Sequence, residues 1–273
     1  MSEPDWQQAN RTHWDERTSL HLGPRGYDLS ELRAGRDRLN AIEEDELGDL
    51  SGKRILHLQC HFGRDSLILL QRGAASVIGL DFSAAAIAAA RDLARELGLA
   101  DRASFVEADL YRALDVLPEP GSFDMVFVTW GALCWLPDIK GWADIVAAML
   151  RRGGQLYLAE THPAAFVFDE IVDAAPIFDT PYFGGQPIKC HAVEDYVGGE
   201  AHFEHAEYYL WLHPLAEIVT SLLDAGMRLD WLHEHDAISW RMFRILVEDE
   251  RGLYRWPDKP WLPLAFSLAA TRL

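Results

Sequence analysis

The segment that most constrains the fold of this chain is Arg54-Ile-Leu-His-Leu-Gln-Cys-His-Phe-Gly-Arg-Asp65. Its apolar start predicts a buried strand over 55–58, followed by a tight turn that ends at Gly63 and by a helix. A second apolar segment, 77–80, ends in Asp81. This arrangement is typical of a pocket for an adenosine ribose, because the turn and the helix N-terminus offer N–H groups and the acid accepts hydrogen bonds from the ribose hydroxyls. The pattern predicts a nucleoside cofactor.

Strands and helices alternate over the first 160 residues. Ser83 is placed to cap a helix, and the glycine pair 153–154 is placed to end another. Strands alternating with helices imply a parallel sheet with right-handed crossovers, and therefore a doubly wound, Rossmann-like α/β fold. The predicted strands after 55–58 and 77–80 are 103–107, 123–129 and 155–159, with 228–235 and 264–271 as an antiparallel pair at the sheet edge, and the predicted helices are 64–72, 84–97, 139–150 and 215–223.

Residues 163–210 break this alternation, since their aromatic, proline and glycine residues show no sustained period. Long irregular segments inside a compact domain are usually functional. We therefore expect a substrate lid inserted after the fifth strand. The remaining organisation is predicted as a single domain with an N-terminal helical cap over 1–50, a cofactor-binding half over 51–162, and a C-terminal helix with edge strands over 211–273.

Composition excludes several classes of function. A chain of 273 residues with 49% hydrophobic content can bury a substantial core as one domain. Its formal net charge of −18 disfavours nucleic acids as partners, because such binding depends on Lys and Arg contacts with phosphates. Long apolar segments and an N-terminal signal pattern are absent from the sequence, so we expect a cytoplasmic protein without a membrane partner. Its three widely spaced cysteines predict neither disulfides nor a zinc site.

The order of strands, together with Asp81 and Asp109 after the second and third of them, resembles the class I S-adenosylmethionine-dependent methyltransferases. The resemblance is greatest to a bacterial small-molecule subgroup whose first motif reads Leu-His-Leu-Gln-Cys-His-Phe-Gly, as at 56–63. Further matching segments are Gly79-Leu-Asp-Phe-Ser83, Trp135-Leu-Pro-Asp138, Trp211-Leu-His-Pro-Leu215 and Leu262-Pro-Leu-Ala-Phe-Ser267. The resemblance implies a seven-stranded, mostly parallel sheet with an antiparallel edge strand. It also implies S-adenosylmethionine as cofactor and S-adenosylhomocysteine as product.

The first motif departs from the usual pattern of this class, which has an acid and three glycines. At those positions the chain has His57, Gln59, His61 and Gly63. The resemblance assigns all four to the cofactor loop. Gln59 and His61 must then allow the backbone to approach the methionine part of the cofactor, or the loop must take a slightly different path.

Further cofactor contacts follow from the resemblance. Asp81 is expected to hold the ribose hydroxyls and Phe82 to lie against the adenine, while Asp109 meets the adenine amino group and Leu110 packs on the ring. The alternatives are a solvated strand-end acid for Asp81 and a turn aspartate for Asp109. After the fourth strand, Thr129 and Gly131 are expected to lie where the methyl group faces the substrate.

Methyl transfer depends on positioning a nucleophile and excluding water, and a hydroxyl acceptor gains from a general base. His162, just past the fifth strand, is the candidate base and substrate contact, with a structural histidine as the alternative. The candidate aromatic walls of the substrate pocket are Trp14, Tyr27 and Trp130, which can stack on a planar acceptor or bind an amine. Trp130 can also be a core residue.

The histidines of the insert raise the possibility of a metal site. His202 and His205 are spaced to share a helical face, and His191 and His213 lie nearby in sequence. These residues form no recognisable ligand motif, so we predict that the protein holds no metal.

We therefore expect an enzyme that transfers a methyl group from S-adenosylmethionine to an oxygen or nitrogen of a small organic molecule, as a monomer or homodimer. Two alternatives stay open. An NAD-dependent oxidoreductase would also use Asp81, but it should carry a glycine-rich turn and leaves Asp109 without a role. A non-catalytic sensor of S-adenosylmethionine would have the same cofactor motifs.

Overall fold

The computed structural model of the protein describes residues 5–168, 177–192, 195 and 203–273. Short 3₁₀ turns occur at Leu110–Arg112, Leu133–Trp135 and Ala165–Val167. The α-helices are α1 (Asp5–His21), α2 (Ser30–Arg33), α3 (Ala41–Glu46), α4 (Arg64–Gln71), α5 (Ala84–Glu96), α6 (Ala113–Val116), α7 (Ile139–Met149) and α8 (Leu215–Asp224). The strands are β1 (Arg54–Leu58), β2 (Ser76–Asp81), β3 (Ala103–Glu107), β4 (Phe123–Thr129), β5 (Leu150–Thr161), β6 (Ile188–His191), β7 (Glu207–Leu210), β8 (Met227–His235), β9 (Ala237–Ile238), β10 (Val247–Glu248), β11 (Tyr254–Arg255) and β12 (Ala265–Arg272).

Seven strands form the central sheet in the order β3-β2-β1-β4-β5-β12-β8. The first five are parallel to one another, and β12 runs antiparallel between β5 and the edge strand β8. The order reverses between β1 and β4, which creates a crevice at the carboxyl ends of the strands, where ligands bind in such folds. The predicted Rossmann-like seven-stranded sheet is therefore confirmed.

Helices cover both faces of this sheet, as the apolar strands require. Leu56 and Leu58 of β1 point into a core shared with α7 and α8, whereas Ile55 points into a core shared with α4 and α5. Both sides of β1 are apolar because a parallel strand in the middle of a doubly wound sheet is buried on both faces.

Of the two predicted helix ends, one is found and the other is not. Ser83 Oγ accepts a hydrogen bond from Ala86 N at the start of α5, as predicted. However, α7 ends at Met149 and β5 begins at once, so the glycine pair 153–154 lies within the strand rather than at the end of the helix. Gly154 is needed for packing, since a β-carbon there would lie 2.8 Å from Phe123 O, and Gly153 has a φ of 73°, which favours glycine.

Two small sheets stand outside the predicted elements. Strands β6 and β7 pair antiparallel within the insert, and β9, β10 and β11 form a three-stranded sheet between β8 and β12. Their strands have four and two residues, too few for an alternating pattern to be recognised. No helix in the described part of the chain is long and apolar enough to cross a bilayer.

Candidate functional site

The loop between β1 and α4 keeps a glycine-like backbone without the glycines. Gln59 and His61 have φ values of 56° and 51°, in the left-handed region that glycine adopts most easily, and Gly63 has a φ of 78°. A β-carbon on Gly63 would lie 2.7 Å from the ring of Phe105, so this position also needs glycine for space. The two side chains therefore replace the usual glycines while the backbone path of a glycine-rich turn is retained.

His57 lies beneath this loop rather than at its surface. Its imidazole is 3% exposed and bonds through Nδ1 to Ser66 Oγ at 2.8 Å. Burial lowers the pKa of His57 to about 3, so the ring is neutral. The structure thus places this predicted cofactor residue as a support between β1 and α4, and its contact with a cofactor stays a prediction.

Asp81 ends β2 directly beside the loop. Its Oδ2 accepts a hydrogen bond from His61 N at 2.8 Å, and its Oδ1 accepts one from Ser83 N at 2.9 Å. The carboxyl is 7% exposed, and burial raises its pKa to about 6 although both N–H donors act in the opposite direction. Asp81 therefore joins the first loop to the start of α5 and is mostly ionised at neutral pH.

The residues predicted to contact the adenine, Phe82 after β2 and Asp109 and Leu110 after β3, differ in what surrounds them. Phe82 has the guanidinium of Arg11 6.0 Å from its ring centre. Asp109 accepts a hydrogen bond from Tyr111 N at 2.8 Å and another from the side chain of Gln7 in α1. Leu110 is 4% exposed and packs in the core. Asp109 is therefore a turn-capping residue that α1 also contacts.

The loop after β4 carries the other part of the site. Thr129 ends the strand, and Trp130 and Gly131 follow with φ values of 46° and 75°. No atom of the described residues lies within 4 Å of a β-carbon built on Gly131, so this part of the structure leaves open space there. The indole of Trp130 turns away, donates to Glu43 Oε1 at 2.5 Å and packs against Trp240. The structure thus gives Trp130 a packing role beside α3.

Glu160, at the end of β5, holds this loop in place and was not predicted as a site residue. Its carboxylate accepts hydrogen bonds from the N–H groups of Gly131, Ala132 and Leu133 at 2.7, 2.5 and 2.8 Å. Burial raises the pKa of Glu160, whereas the bonded N–H groups act in the opposite direction. In the sequence, the one signal for this role is an acid at the end of a buried strand.

Gln59 connects the two loops. Its Nε2 donates to Ala132 O at 2.7 Å, while its Oε1 is buried and has no hydrogen-bond partner among the described residues. A buried acceptor without a donor is costly, and such atoms in native proteins are usually satisfied by a ligand or by water. Gln59 thus leaves one buried, unpaired acceptor oxygen at the junction of the two loops.

Helix α1 lies over the first loop. The Trp14 ring lies 5.2 Å from His61 and 5.2 Å from Trp135 between ring centres. Tyr27, just after α1, lies 5.3 Å from Phe62. The predicted aromatic residues of the N-terminal segment are therefore next to the loop after β1.

Helix α1 is also fastened to the insert. The Asn10 side chain donates to Tyr209 O at 2.9 Å and accepts from Tyr209 N at 2.7 Å, and Glu16 accepts from the N–H groups of Glu204 and His205 at 2.7 and 3.0 Å. The N-terminal cap and the insert thus form one covering layer over the carboxyl edge of the sheet.

A buried polar cluster ties this covering layer to the first loop. Asp195 of the insert lies 2.9 Å from Arg17 Nε and 3.1 Å from His21 Nε2, and His21 Nδ1 lies 3.2 Å from His61 Nε2. Burial lowers the pKa of His61, and the charge of Arg17 acts in the same direction. Sequence reasoning missed Arg17, His21 and Asp195, since their long separation along the chain carries no motif.

His162, the predicted base, lies past β5 with both ring nitrogens engaged. Its Nδ1 accepts from Ala164 N at 3.1 Å, and its Nε2 lies 3.0 Å from Glu234 Oε1. Burial lowers the pKa of His162, with the carboxylate of Glu234 acting in the opposite direction. The ring is 5% exposed. Its catalytic role stays a prediction, and it requires the ring to leave at least one of these partners.

No group of three or more His, Cys, Asp and Glu residues suited to a metal ion occurs in the described ranges. His202, one of the histidines considered for such a site, lies outside the described residues. His213 is engaged elsewhere, with Nε2 2.7 Å from Leu136 O and Nδ1 3.2 Å from Glu217.

Comparison with known proteins agrees with this geometry. Residues 55–154 match the sequence profile of a family described as a methyltransferase domain. The chain is 28% identical over 144 residues to Methyltransferase GfsG of Streptomyces halstedii and 34% identical over 137 residues to the ubiquinone biosynthesis O-methyltransferase of Pseudomonas aeruginosa. These alignments cover 52% and 48% of the chain, and 50% and 54% of the two relatives, so the chain spans about half of each relative's length.

Among solved structures, the chain is similar to an S-adenosylmethionine-dependent methyltransferase from Mesorhizobium loti, with a TM-score of 0.59 and 19% identity over 85% of this chain and 96% of that one. At this identity the likeness concerns the fold. Taken together, residues 55–154 match a family described as a methyltransferase domain, and the chain shares the Rossmann-like fold of S-adenosylmethionine-dependent methyltransferases.

Proposed function

We propose that the protein transfers a methyl group from S-adenosylmethionine to an oxygen or nitrogen of a small organic molecule. The observation that carries this proposal is the meeting of the glycine-like first loop, the buried carboxylate of Asp81 and the open space above Gly131 at one edge of the sheet. Membership of the bacterial subgroup with the Leu-His-Leu-Gln-Cys-His-Phe-Gly motif is part of the same proposal.

The chemistry of these groups fits the cofactor. The Asp81 carboxylate suits two neighbouring hydroxyl donors such as those of a ribose, and it retains lone pairs beyond the two N–H groups that it already accepts. The unpaired Oε1 of Gln59 suits the ammonium group of the methionine part. We assign the ribose contact to Asp81, the methionine contact to Gln59 and the backbone of His61, and the adenine contacts to Phe82 and Asp109.

When bound, S-adenosylmethionine supplies a sulfonium methyl group whose carbon–sulfur bond breaks as the acceptor oxygen or nitrogen forms the new bond and gives up its proton. The residues of the chain position the two reactants and exclude water. Glu160 fixes the loop that carries Gly131, and the joined layer of α1 and the insert covers the crevice. The covering layer protects a reactive electrophile from water, and the fixed loop helps to hold the two reactants in line.

Two features favour a small acceptor. The net charge of −18 disfavours nucleic acids as partners, and the joined layer of α1 and the insert lies over the crevice. The proposal is tested by incubating the protein with methyl-labelled S-adenosylmethionine and separate pools of phenols and amines, followed by mass spectrometry of the products. We expect label in at least one pool with the wild type and none with Asp81→Ala. Label in the protein alone, or in no pool, would contradict a small-molecule acceptor.

Substituting His162 with alanine tests its predicted role as base. If His162 accepts the proton, turnover falls by about a hundredfold or more while cofactor affinity is unchanged. Turnover and calorimetry of the same preparation measure both. Full turnover with a lower unfolding temperature would instead assign His162 to holding the end of β5 against Glu234.

A further inference from the structure

A cavity of about 270 Å³ lies beneath the insert, outside the cofactor crevice. Its walls come from the segment after β5, from strands β6 and β7, and from the connection between β8 and β12. The large apolar side chains that line it are Phe166, Phe168, Trp211, Leu212, Met242 and Phe243. Its volume is close to the lower end of the range for small-molecule sites, which are mostly apolar with a few polar groups.

The inner end of the cavity reaches the edge of the sheet. A second, smaller cavity shares Cys134, Phe166, Trp211 and Leu212 with it, and is lined further in by Leu133 and Glu160. Glu160 accepts the N–H of Leu133 and so belongs to the loop that follows β4. The walls of the cavity are therefore shared with a space beside the loop where the methyl group is expected.

The charged lining of the cavity is acidic. Among the described residues that line it, Asp179 is the one charged side chain, and none is Lys, Arg or His. Thr180 Oγ1 donates to Asp179 Oδ2 at 3.0 Å, while burial raises the pKa of the Cys134 and Cys190 thiols and keeps them neutral. The described lining residues therefore offer an anionic ligand no cationic partner.

Exposed apolar side chains lie beside the cavity. Phe178 is 79% exposed and lies 5.3 Å from the ring of Phe168, which lines the cavity. Ile177, beside it, is 63% exposed, and both directly precede Asp179 in the chain. Exposed apolar side chains next to an apolar cavity are typical of surfaces that bind ligands.

We propose that this cavity binds the methyl acceptor and that the acceptor is a mainly apolar, ring-sized molecule that is neutral or cationic, not a carboxylate or a phosphate. The identification of the ligand as the methyl acceptor rests on the proposed function. The binding site and its charge preference are inferred from the cavity alone. The apolar walls hold the body of the ligand, and Asp179 with Thr180 in the wall of the cavity attracts a cationic or hydrogen-bonding group.

Three probes with one ring system test the charge preference: 2-naphthol, 2-naphthylmethylamine and 2-naphthoate, titrated into the protein by calorimetry. We expect the neutral and cationic probes to bind at least tenfold more tightly than the anion. Met242→Trp fills the cavity and should weaken both favoured probes at least tenfold. Val247→Trp, on the exposed surface of β10, is the matched control and should leave them unchanged.

Asp179→Asn gives a second variant that does not alter packing. It should weaken the amine by about threefold, as expected for one exposed charge, and leave 2-naphthol unchanged. Equal affinity for 2-naphthoate and 2-naphthol, failure of both favoured probes to bind, or unchanged binding in Met242→Trp would overturn the proposal. S-adenosylmethionine is titrated separately into the wild type and into each variant. Failure of the wild type to bind it would refute the proposed function independently of the naphthalene results.

Discussion

Replacing Asp81 with alanine is expected to weaken binding of S-adenosylmethionine by about a hundredfold or more. A hydrogen bond to a charged group contributes about 1.5 to 3 kcal/mol, and a ribose offers two donors to this carboxylate. The same substitution also leaves the N–H groups of His61 and Ser83 without their acceptor, which loosens the first loop against the start of α5. Both effects weaken binding of the cofactor.

Calorimetric titration of the variant measures this effect, with Asp144→Ala as the control because that acid lies on the exposed side of α7. The control should bind the cofactor as the wild type does. Circular dichroism of Asp81→Ala establishes that the sheet is intact. Unchanged cofactor affinity in a folded Asp81→Ala protein would refute the assignment of the ribose contact.

Glu43→Gln is expected to stabilise the protein, and more so as the pH rises. Glu43 is fully buried in α3, where its Oε1 accepts from the indole of Trp130 and its Oε2 has no partner among the described residues. Burial raises its pKa to about 8, and the nearby Asp65 adds to the increase while Trp130 and Asn40 oppose it. The carboxyl is therefore mainly protonated in the folded protein at neutral pH.

The pH dependence follows from proton linkage. Below the ordinary glutamate pKa of 4.5, both the folded and the unfolded chain carry the proton on Glu43, so this residue adds no pH dependence there. Between 4.5 and about 8 the unfolded chain has lost the proton while the folded chain keeps it, so the free energy of unfolding falls as the pH rises. Glutamine does not titrate. Its stabilising effect should thus be near zero at about pH 4 and reach on the order of 4 kcal/mol above about pH 8.

Urea unfolding of the wild type and Glu43→Gln at about pH 5 and about pH 8.5 measures this difference. Asp45→Asn on the same helix is the control, because the Asp45 side chain is 61% exposed and pairs with Arg251. The control should give a small difference that does not grow with pH. A Glu43→Gln effect of equal size at both pH values would contradict a protonated Glu43 in the folded protein.

The sheet could be predicted from the sequence because its strands are strongly apolar and its helices carry local caps. Strand β1 is buried on both faces, and Ser83 caps α5 as its position before a helix-forming segment indicates. The end of α7 could not be predicted as reliably. Gly153 and Gly154 signal a helix end, but here a close approach to Phe123 O requires a glycine within β5.

The site was less predictable than the fold because much of it depends on contacts between distant segments. Asp81 and Gly131 follow strands and could be located from the strand pattern. The unpaired oxygen of Gln59, the loop-holding role of Glu160, and the cluster of Arg17, His21 and Asp195 depend on partners far along the chain. Local periodicity carries no information on such pairs.

The most direct test of the cofactor assignment is calorimetric titration of the purified protein with S-adenosylmethionine, S-adenosylhomocysteine and NAD in parallel. We predict micromolar binding of the first two and no binding of NAD. Binding of NAD alone would contradict the assignment and would show that the carboxylate of Asp81 holds the ribose of a different cofactor.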